Sequence, residues 1–304
     1  MKMSYPETGG GWKKHGSAPV FGGRDTGTCF DAQVMHDDTG FMMHFSWRPE
    51  KALAFTRSAD GVKWSEPRIF MRADASTGWT DDLNRSCAVK REGKWYIWYT
   101  GQAHGHSWIG CALSDDGVAW SPVSDQPVIY SERAYEGAAV MNPFVIWDEE
   151  KHLFRMWYAA GEQFEPNVIA YAVSEDGILW DKLPANPVFV GFKEHPYERD
   201  RVGACHIVKA DGWHYMFYIG YEDIDTARVC LARSRDGVTG WQSHPDNPII
   251  SPSEDGWDRD ACYKPTVVRD EENKRWLLWY NGRRGSEEYI GLAIHEGLDL
   301  GFDR

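Results

Sequence analysis

The stretch Ile109-Gly-Cys-Ala-Leu-Ser-Asp-Asp-Gly-Val-Ala-Trp120 is one copy of a unit that recurs along the chain. The same pattern reads AFTRSADGVKW at 54–64, IAYAVSEDGILW at 169–180 and VCLARSRDGVTGW at 229–241. The serines of these four copies stand 56, 60 and 60 residues apart, and a degenerate copy, IGLAIHEG, lies at 290–297. The chain is therefore built from five copies of one unit.

Each copy has the chemistry of a strand followed by a tight turn. Alternating small and apolar residues predict a strand, and Asp-Gly supplies the positive φ that a hairpin turn needs. The Trp that follows lies on the return strand, where it can cover the turn. We therefore interpret the repeated acids as turn formers and not as catalysts; they are Asp60, Asp116, Asp176 and Asp236.

Two further strands precede this unit in every repeat. The second strands read FMMHFS, WYIWYT, FRMWYA, HYMFYI and WLLWYN, and the first strands begin DAQVMH, RSCAVK, NPFVIW, ACHIVK and KPTVVR. Four antiparallel strands in each of five repeats predict an all-β, five-bladed propeller that forms one domain over residues 1–304. We expect the segment around Trp12 to pair with the strand at 290–295 and close the ring. A β-sandwich is the alternative, which the internal period disfavours.

Composition restricts the class of partner. The net charge of −13 argues against nucleic acid and anionic membranes. The chain has 16 Trp, 14 Tyr and 13 Phe, which can fill space between sheets or stack on sugars. The six cysteines lack metal-binding spacing and are expected to be buried free thiols. We expect no cofactor and, because the N-terminus lacks an apolar core, a cytoplasmic protein.

Propeller topology brings the starts of the five first strands together at one mouth of the central channel. The residues at this equivalent position are Asp31, Arg85, Asn142, Ala204 and Lys264. Four of them are polar or charged, whereas a purely structural channel would carry small apolar residues there. Converging polar groups at the mouth of an apolar barrel predict a ligand pocket.

The segments just before the first strands are acidic and aromatic. They contain Arg24 and Asp25, Trp79 and Asp82, Glu136, Asp200, and Asp258. Carboxylates beside aromatic rings suit a carbohydrate, and glycosidic cleavage needs a proton donor with a second carboxylate across the bond. These acids could instead cap loops or pair with arginines such as Arg283. His104 and His106 lack a third metal ligand at suitable spacing, so we expect no metal site.

The repeated S-x-D-G-x-x-W turns, together with the WYTG and WYNG strands, resemble the five-bladed β-propeller glycoside hydrolases. These include family 43, the invertase-like families 32 and 68, and the mannoside phosphorylases of family 130. The resemblance implies that Asp31 is catalytic, because a catalytic Asp starts the first strand of blade one in families 43 and 32. It also implies an acid in a Glu-x-Pro motif, a spacing that Glu136 does not have.

Our leading hypothesis is a glycoside hydrolase acting on a short oligosaccharide, with a furanose implied by the resemblance alone. Asp31 would be the base or nucleophile, Glu136 the general acid, and Asp82 or Asp200 a supporting carboxylate. The expected substrate-binding residues are Arg24, Asp25, Trp79, Arg85, Asn142, Asp258, Lys264 and Arg283. Two alternatives stay open, a glycoside phosphorylase that consumes inorganic phosphate and a sugar-binding propeller without catalysis.

Overall fold

The computed structural model describes residues 4–303, which form an all-β fold of five strand groups, here called repeats 1 to 5. Repeat 1 contains β2 (Cys29–Asp37), β3 (Gly40–Trp47), β4 (Ala52–Ser58) and β5 (Arg68–Arg72). Repeat 2 contains β6 (Asp82–Arg91), β7 (Lys94–Ala103), β8 (His106–Ser114) and β9 (Ser121–Pro122). Repeat 3 contains β10 (Ala139–Asp148), β11 (Leu153–Gly161), β12 (Pro166–Ser174) and β13 (Asp181–Lys182).

Repeat 4 contains β14 (Arg201–Ala210), β15 (Trp213–Asp223), β16 (Thr226–Ser234) and β17 (Gln242–Ser243). Repeat 5 contains β18 (Ala261–Asp270), β19 (Arg275–Arg284), β20 (Glu287–Glu296) and the N-terminal strand β1 (Trp12–Lys14). Single 3₁₀ turns occur at Arg48–Glu50, Ala75–Thr77, Ala134–Glu136 and Pro196–Glu198. Among residues 4–303, no helix has the length and hydropathy needed to cross a membrane.

The strands of each repeat pair as antiparallel neighbours. Repeats 1, 4 and 5 are separate four-stranded sheets, and a single parallel bridge between Ala139 and Ser107 joins repeats 2 and 3 into one sheet of eight strands. The first strands contact one another in the order β2, β6, β10, β14, β18, and β18 contacts β2 again. The five first strands therefore pack against one another in chain order, and the last of them also contacts the first.

The N-terminal strand completes the sheet of the last repeat. Trp12 pairs with His295 and Lys14 with Ala293, which confirms the pairing that the sequence predicts. The Trp12 side chain is buried and meets the ring of Phe217 edge-on at 5.9 Å. Strand β1 is therefore packed in the core of repeat 5.

The Ser-x-Asp-Gly segments are the predicted turns. In repeat 1, Asp60 Oδ1 accepts from the N–H groups of Val62 and Lys63, at 2.9 and 2.8 Å. The Ser58 hydroxyl donates to Asp60 at 3.0 Å and accepts from Gly61 N–H at 2.9 Å. These hydrogen bonds, led by the one from Lys63 N–H, hold the pKa of Asp60 below its ordinary value. The carboxylate organises the turn.

Tryptophans in the second strands join neighbouring repeats through these turns. The indole N–H of Trp98 in repeat 2 donates to Gly177 O in repeat 3 at 2.8 Å, and Trp157 donates to Gly237 O at 2.8 Å. Trp279 in repeat 5 donates to Gly61 O in repeat 1 at 2.9 Å. The same contact that links adjacent repeats therefore also joins the last repeat to the first.

Each first strand carries a β-bulge near its start. The bulge residues Asp31, Arg85, Asn142, Ala204 and Lys264 have φ values of 53°, 56°, 51°, 33° and 48°. Left-handed conformations are unfavourable for residues other than glycine and persist only where the surroundings enforce them. Backbone N–H groups of three bulges donate to a side chain of the preceding repeat: Asp31 to Asn281, Arg85 to Ser46, and Asn142 to Thr100.

Candidate active site

A cavity of about 300 Å³ opens where the bulges meet the connections between the second and third strands. The first strands supply the floor, including Asp31, Arg85 and Asn142. The walls come from chain segments at the ends of the second strands and from the loops that follow them. The charged side chains that line the cavity are Asp31, Arg48, Asp82, Arg85, Glu165, Asp225, Arg283 and Glu288.

Asp31 is held from two sides. Its side chain is 3% exposed, Asn281 Nδ2 lies 3.4 Å from its Oδ1, and Arg85 Nε lies 3.3 Å from its Oδ2. Within the described chain no hydrogen bond satisfies Oδ2, although the oxygen is buried. A buried carboxylate oxygen without a hydrogen bond is costly, and this oxygen can accept a hydrogen bond from a ligand in the cavity.

Arg85 and Asn142 complete the floor. Arg85 also donates to Asn84 Oδ1 at 3.0 Å and reaches the carbonyl of Phe164 at 3.5 Å. It thus connects Asp31 to the loop between β11 and β12. Asn142 is 4% exposed, and its Oδ1 has no hydrogen-bond partner within residues 4–303. The floor therefore offers two unsatisfied acceptors, on Asp31 and Asn142, to the hydroxyl groups of a ligand.

Two glutamates that the sequence analysis missed line the walls. Glu165 precedes β12, and Glu288 lies at the start of β20. Burial raises the pKa of Glu165, although a hydrogen bond from Tyr221 and the charge of Arg85 oppose this. Burial also raises the pKa of Glu288; Arg48, 3.1 Å from its Oε1, opposes the rise and the charge of Asp31 adds to it. Both carboxyl groups are thereby biased towards the protonated form.

The prediction that Glu136 lines the pocket beside Asp31 is wrong. Its side chain is fully buried at the end of the Ala134–Glu136 turn and is absent from the cavity wall. Its oxygens accept from the N–H of Glu132 at 2.7 Å, from the hydroxyl of Tyr158 at 2.8 Å and from Lys182 Nζ at 2.9 Å. Burial raises the pKa of Glu136, but these hydrogen bonds outweigh it and the net pKa is lowered.

Repeats 4 and 5 contain equivalent buried carboxylates. Glu198 is fully buried, bonded to the Tyr218 hydroxyl at 3.0 Å and to His195 Nδ1 at 2.9 Å. Asp258 is 1% exposed, bonded to the Tyr280 hydroxyl at 3.0 Å and to Lys14 Nζ at 2.7 Å. Neither lines the cavity. The acidic segments before these first strands therefore anchor loops, and the expectation that Asp258 binds substrate is corrected.

The remaining predicted residues divide into two groups. Asp82 and Arg283 line the cavity, as do Asp31, Arg85 and Asn142. Asp200 pairs with Arg201 at 2.7 Å outside the cavity, and Trp79 is buried in a stack on Tyr99. The residues that also lie off the cavity wall are Arg24, Asp25, Lys264, His104 and His106.

Lys264 occupies the predicted bulge but does not line the cavity. It is 5% exposed, and its charge acts on the buried groups Cys87, Cys205 and His206. All six cysteines are buried and unpaired, as the sequence predicts. Among the described residues, no group of three or more His, Cys, Asp or Glu side chains is arranged to hold a metal ion.

Comparison with known proteins places this geometry in a family. An uncharacterized protein of Mycobacterium tuberculosis (strain ATCC 25618 / H37Rv) is 29% identical over 196 residues, 62% of this chain and 61% of the relative. The chain thus matches less than two thirds of that relative's length. The beta-1,2-mannobiose phosphorylase of Thermoanaerobacter sp. (strain X514) is 34% identical over 139 residues, 40% of this chain and 44% of the phosphorylase.

The fold is shared with solved structures. An exo-1,5-alpha-L-arabinanase from a bovine ruminal metagenomic library superposes with a TM-score of 0.66 at 15% identity, over 88% of this chain and 93% of the arabinanase. This similarity shows a β-propeller fold. The model of the family described as glycosyl hydrolases family 43 matches residues 26–298. Since that match spans nearly the whole chain, the protein belongs to glycosyl hydrolases family 43.

Proposed function

We propose that the protein is a glycoside hydrolase that removes a terminal sugar from a short oligosaccharide in the cavity above Asp31. The observation that carries the proposal is the meeting of Asp31, whose buried Oδ2 lacks a hydrogen bond, with two carboxyl groups of raised pKa in one cavity. Glycosidic cleavage needs a protonated carboxyl and an ionised one on either side of the bond. Asp31 lies in the same cavity as Glu165 and Glu288, whose raised pKa values favour the role of proton donor.

The roles follow from these environments. Glu165 gives its proton to the glycosidic oxygen as the bond between that oxygen and the anomeric carbon breaks. Asp31 takes a proton from the water that attacks the anomeric carbon, so that the sugar leaves with inverted configuration, the outcome favoured by the family-43 resemblance. Glu288 and Asp82 are supporting carboxylates. Asn142 and Arg85 bind hydroxyl groups of the sugar.

The substrate class is a neutral sugar, and the family resemblance favours a furanose. The cavity volume of about 300 Å³ lies at the small end of ligand pockets, which suits one sugar residue and not a chain. The three arginines that line the cavity are already opposed by acids: Arg85 by Asp31, Arg48 by Glu288 and Arg283 by Asp225. An anionic substrate would have to displace these pairs.

The architecture proposed for this site is a closed five-bladed propeller formed as one catalytic domain. The return of β18 to β2 supports closure, as do the β1–β20 pairing and the Trp279–Gly61 hydrogen bond. In such a ring the five bulges share one axis. A single pocket on that axis follows from the closure, since no blade can then turn its bulge away from the others.

A screen of aryl glycosides and oligosaccharides, with and without inorganic phosphate, tests the activity. We expect release of a free monosaccharide without phosphate. Turnover that requires phosphate and yields a sugar phosphate would establish the phosphorylase alternative, which the 34% identity to a mannobiose phosphorylase keeps relevant. Calorimetric binding of a glycan that the protein never cleaves would favour the non-catalytic alternative.

A further inference from the structure

Two large apolar side chains at the cavity wall are exposed without a structural reason. Phe164 is 57% exposed and Ile224 is 50% exposed, and both line the cavity. The other large apolar side chains that are exposed among residues 4–303 lie elsewhere; they are Val118, Tyr130, Leu179 and Val190. Exposed apolar groups beside a polar pocket indicate contact with an apolar surface of a ligand.

The backbone around Phe164 is fixed although its ring is exposed. The carbonyl of Gln163 accepts from Gln102 Nε2 at 3.1 Å and from Ser107 Oγ at 2.6 Å. The carbonyl of Phe164 itself is reached by Arg85, and Pro166 begins the strand β12. The ring is therefore presented on a rigid loop, so that little conformational entropy is lost when a ligand contacts it.

The loop that carries Ile224 is fixed in a similar way. Arg283 Nη2 donates to the carbonyl of Asp225 at 2.6 Å, and the N–H of Asp225 donates to Asp223 Oδ1 at 3.0 Å. Repeats 3 and 4 thus provide an apolar part of the wall. The Arg48–Glu288 pair belongs to repeats 1 and 5, so that part of the wall is ionic.

The position of Glu165 orients a bound glycoside, a step that rests on the proposed function. The proton donor must contact the glycosidic oxygen, and the leaving group begins at that oxygen. Phe164 is the residue next to Glu165 in the chain, and both side chains line the cavity. The leaving group therefore starts beside the apolar part of the wall, while the sugar that is cleaved off lies on the floor above Asp31.

We propose that Phe164 and Ile224 form a leaving-group subsite that binds the C–H face of a second sugar residue. A sugar ring presents such a face to an aromatic ring while its hydroxyl groups stay in water. The subsite explains why these two side chains remain exposed at the cavity. It also assigns the loop of residues 163–166 two tasks, since this loop carries both the proton donor and the surface that receives the departing sugar.

The test compares two substrates with the same non-reducing sugar, a disaccharide and the glycosyl fluoride, both chosen from the screen above. Fluoride is too small to reach Phe164. For Phe164→Ala, kcat/KM on the disaccharide should fall about fivefold to tenfold, the size of one lost ring contact, and kcat/KM on the fluoride should change less than about twofold. Phe164→Tyr keeps the ring and should restore the disaccharide rate. Tyr130→Ala, at a matched exposed aromatic side chain outside the cavity, should change neither rate.

The outcomes separate this inference from the proposed function. If the wild-type protein cleaves neither substrate, the proposed function fails. If it cleaves both and Phe164→Ala lowers the two rates equally, or lowers neither, the subsite is overturned while the function stands. A loss confined to 4-nitrophenyl glycosides would also overturn it, because an aryl group and not a sugar would then be the occupant.

Discussion

Buried carboxylates occur in two regions of this molecule, and they have opposite character. Glu136, Glu198 and Asp258 lie in loops before the first strands, whereas Glu165 and Glu288 lie on the cavity wall. Members of both groups receive a hydrogen bond from a tyrosine hydroxyl. A tyrosine partner is therefore no guide to function. What differs is the number of other donors and the access to an open cavity.

The direction of the pKa shift reflects this difference. Lys182 beside Glu136 and Lys14 beside Asp258 help to hold the pKa of each carboxyl below its ordinary value despite burial. Glu198 is the exception in its group, because burial raises its pKa and the hydrogen bonds with His195 and Tyr218 oppose this rise only in part. For Glu165 and Glu288 in the cavity, burial raises the pKa more than the neighbouring arginines and hydrogen bonds lower it. A fully paired carboxylate stabilises a loop, while an underpaired one at a cavity is available to exchange a proton.

Loss of the Asp31 charge is the most severe test of the comparison. Asp31→Asn keeps the size and an acceptor oxygen but leaves Arg85, 3.3 Å away, without its partner charge. The protein should therefore still fold, with a lowered melting temperature, whereas kcat should fall at least about a hundredfold. Steady-state kinetics and thermal unfolding measure the two effects. Asp200→Asn, which alters an acid outside the cavity, is the matched control and should retain full activity. Comparable activity of the two variants would remove Asp31 from the reaction.

Glu165→Gln tests the proton donor. We expect a loss of about a hundredfold on substrates with poor leaving groups and a much smaller loss on activated aryl glycosides, because only the former need a strong acid. The sign of the pH effect follows from the raised pKa. The active form of Glu165 is the protonated one, so wild-type activity falls as pH rises through that pKa. The pH profile of the Glu165→Gln variant should lack this alkaline limb. An unchanged limb together with equal losses would point to Glu288 instead.

Glu136→Gln tests the loop group. The variant leaves Lys182, whose side chain is 6% exposed, without its buried partner charge. The free energy of unfolding should fall by about 3 kcal/mol, while kcat should stay within about threefold of wild type. Chemical denaturation and kinetics give both values. Glu132→Gln removes the exposed partner of the same lysine and should cost less than about 1 kcal/mol. A catalytic defect in Glu136→Gln without loss of stability would contradict the division into two groups.

Acid stability gives the smallest expected effect. The pKa values of Glu136 and Asp258 lie below their ordinary values of 4.5 and 3.8. The folded state therefore holds these protons more weakly than the unfolded chain, and the stabilisation is lost as pH falls below about 4.5. Melting temperatures measured from pH 7 to pH 3 should decrease, with a shallower decrease for Glu136→Gln than for wild type. Parallel curves would show that Glu136 contributes nothing to the acid response.

The sequence predicts the strand order well because one local pattern is repeated. The Asp60 turn and its three equivalents depend on neighbours within three residues, and such interactions are visible in any copy. The first-strand alignment also identified the floor of the cavity at Asp31, Arg85 and Asn142. These residues occupy equivalent bulges, so one alignment located all three, but Lys264, which the same alignment placed with them, does not line the cavity.

The walls of the cavity could not be found in that way. Glu165 and Glu288 lie at or beside connections between second and third strands that differ in sequence from repeat to repeat, so the repeated pattern does not single them out. The structural role of Glu136 was also hidden, because Tyr158 and Lys182 reach it from distant parts of the chain. One signal was available. Tyrosine is the fifth residue of the segments WYIWYT, FRMWYA, HYMFYI and WLLWYN, which belong to the second strands of repeats 2 to 5.

The pairing of β1 with β20 has a consequence for the order of synthesis. On the ribosome, the segment 12–14 emerges before the other strands of the five repeats, and its partner strand Glu287–Glu296 emerges after them. Trp12 must therefore remain without its partner strand until all five repeats have been made, and Lys14 cannot meet Asp258 until the last repeat has begun to emerge. Earlier repeats can assemble during translation, whereas the final sheet forms only after β1 meets β20. A nascent chain halted before residue 287 would hence retain an exposed edge on its last repeat, open to pairing with another chain.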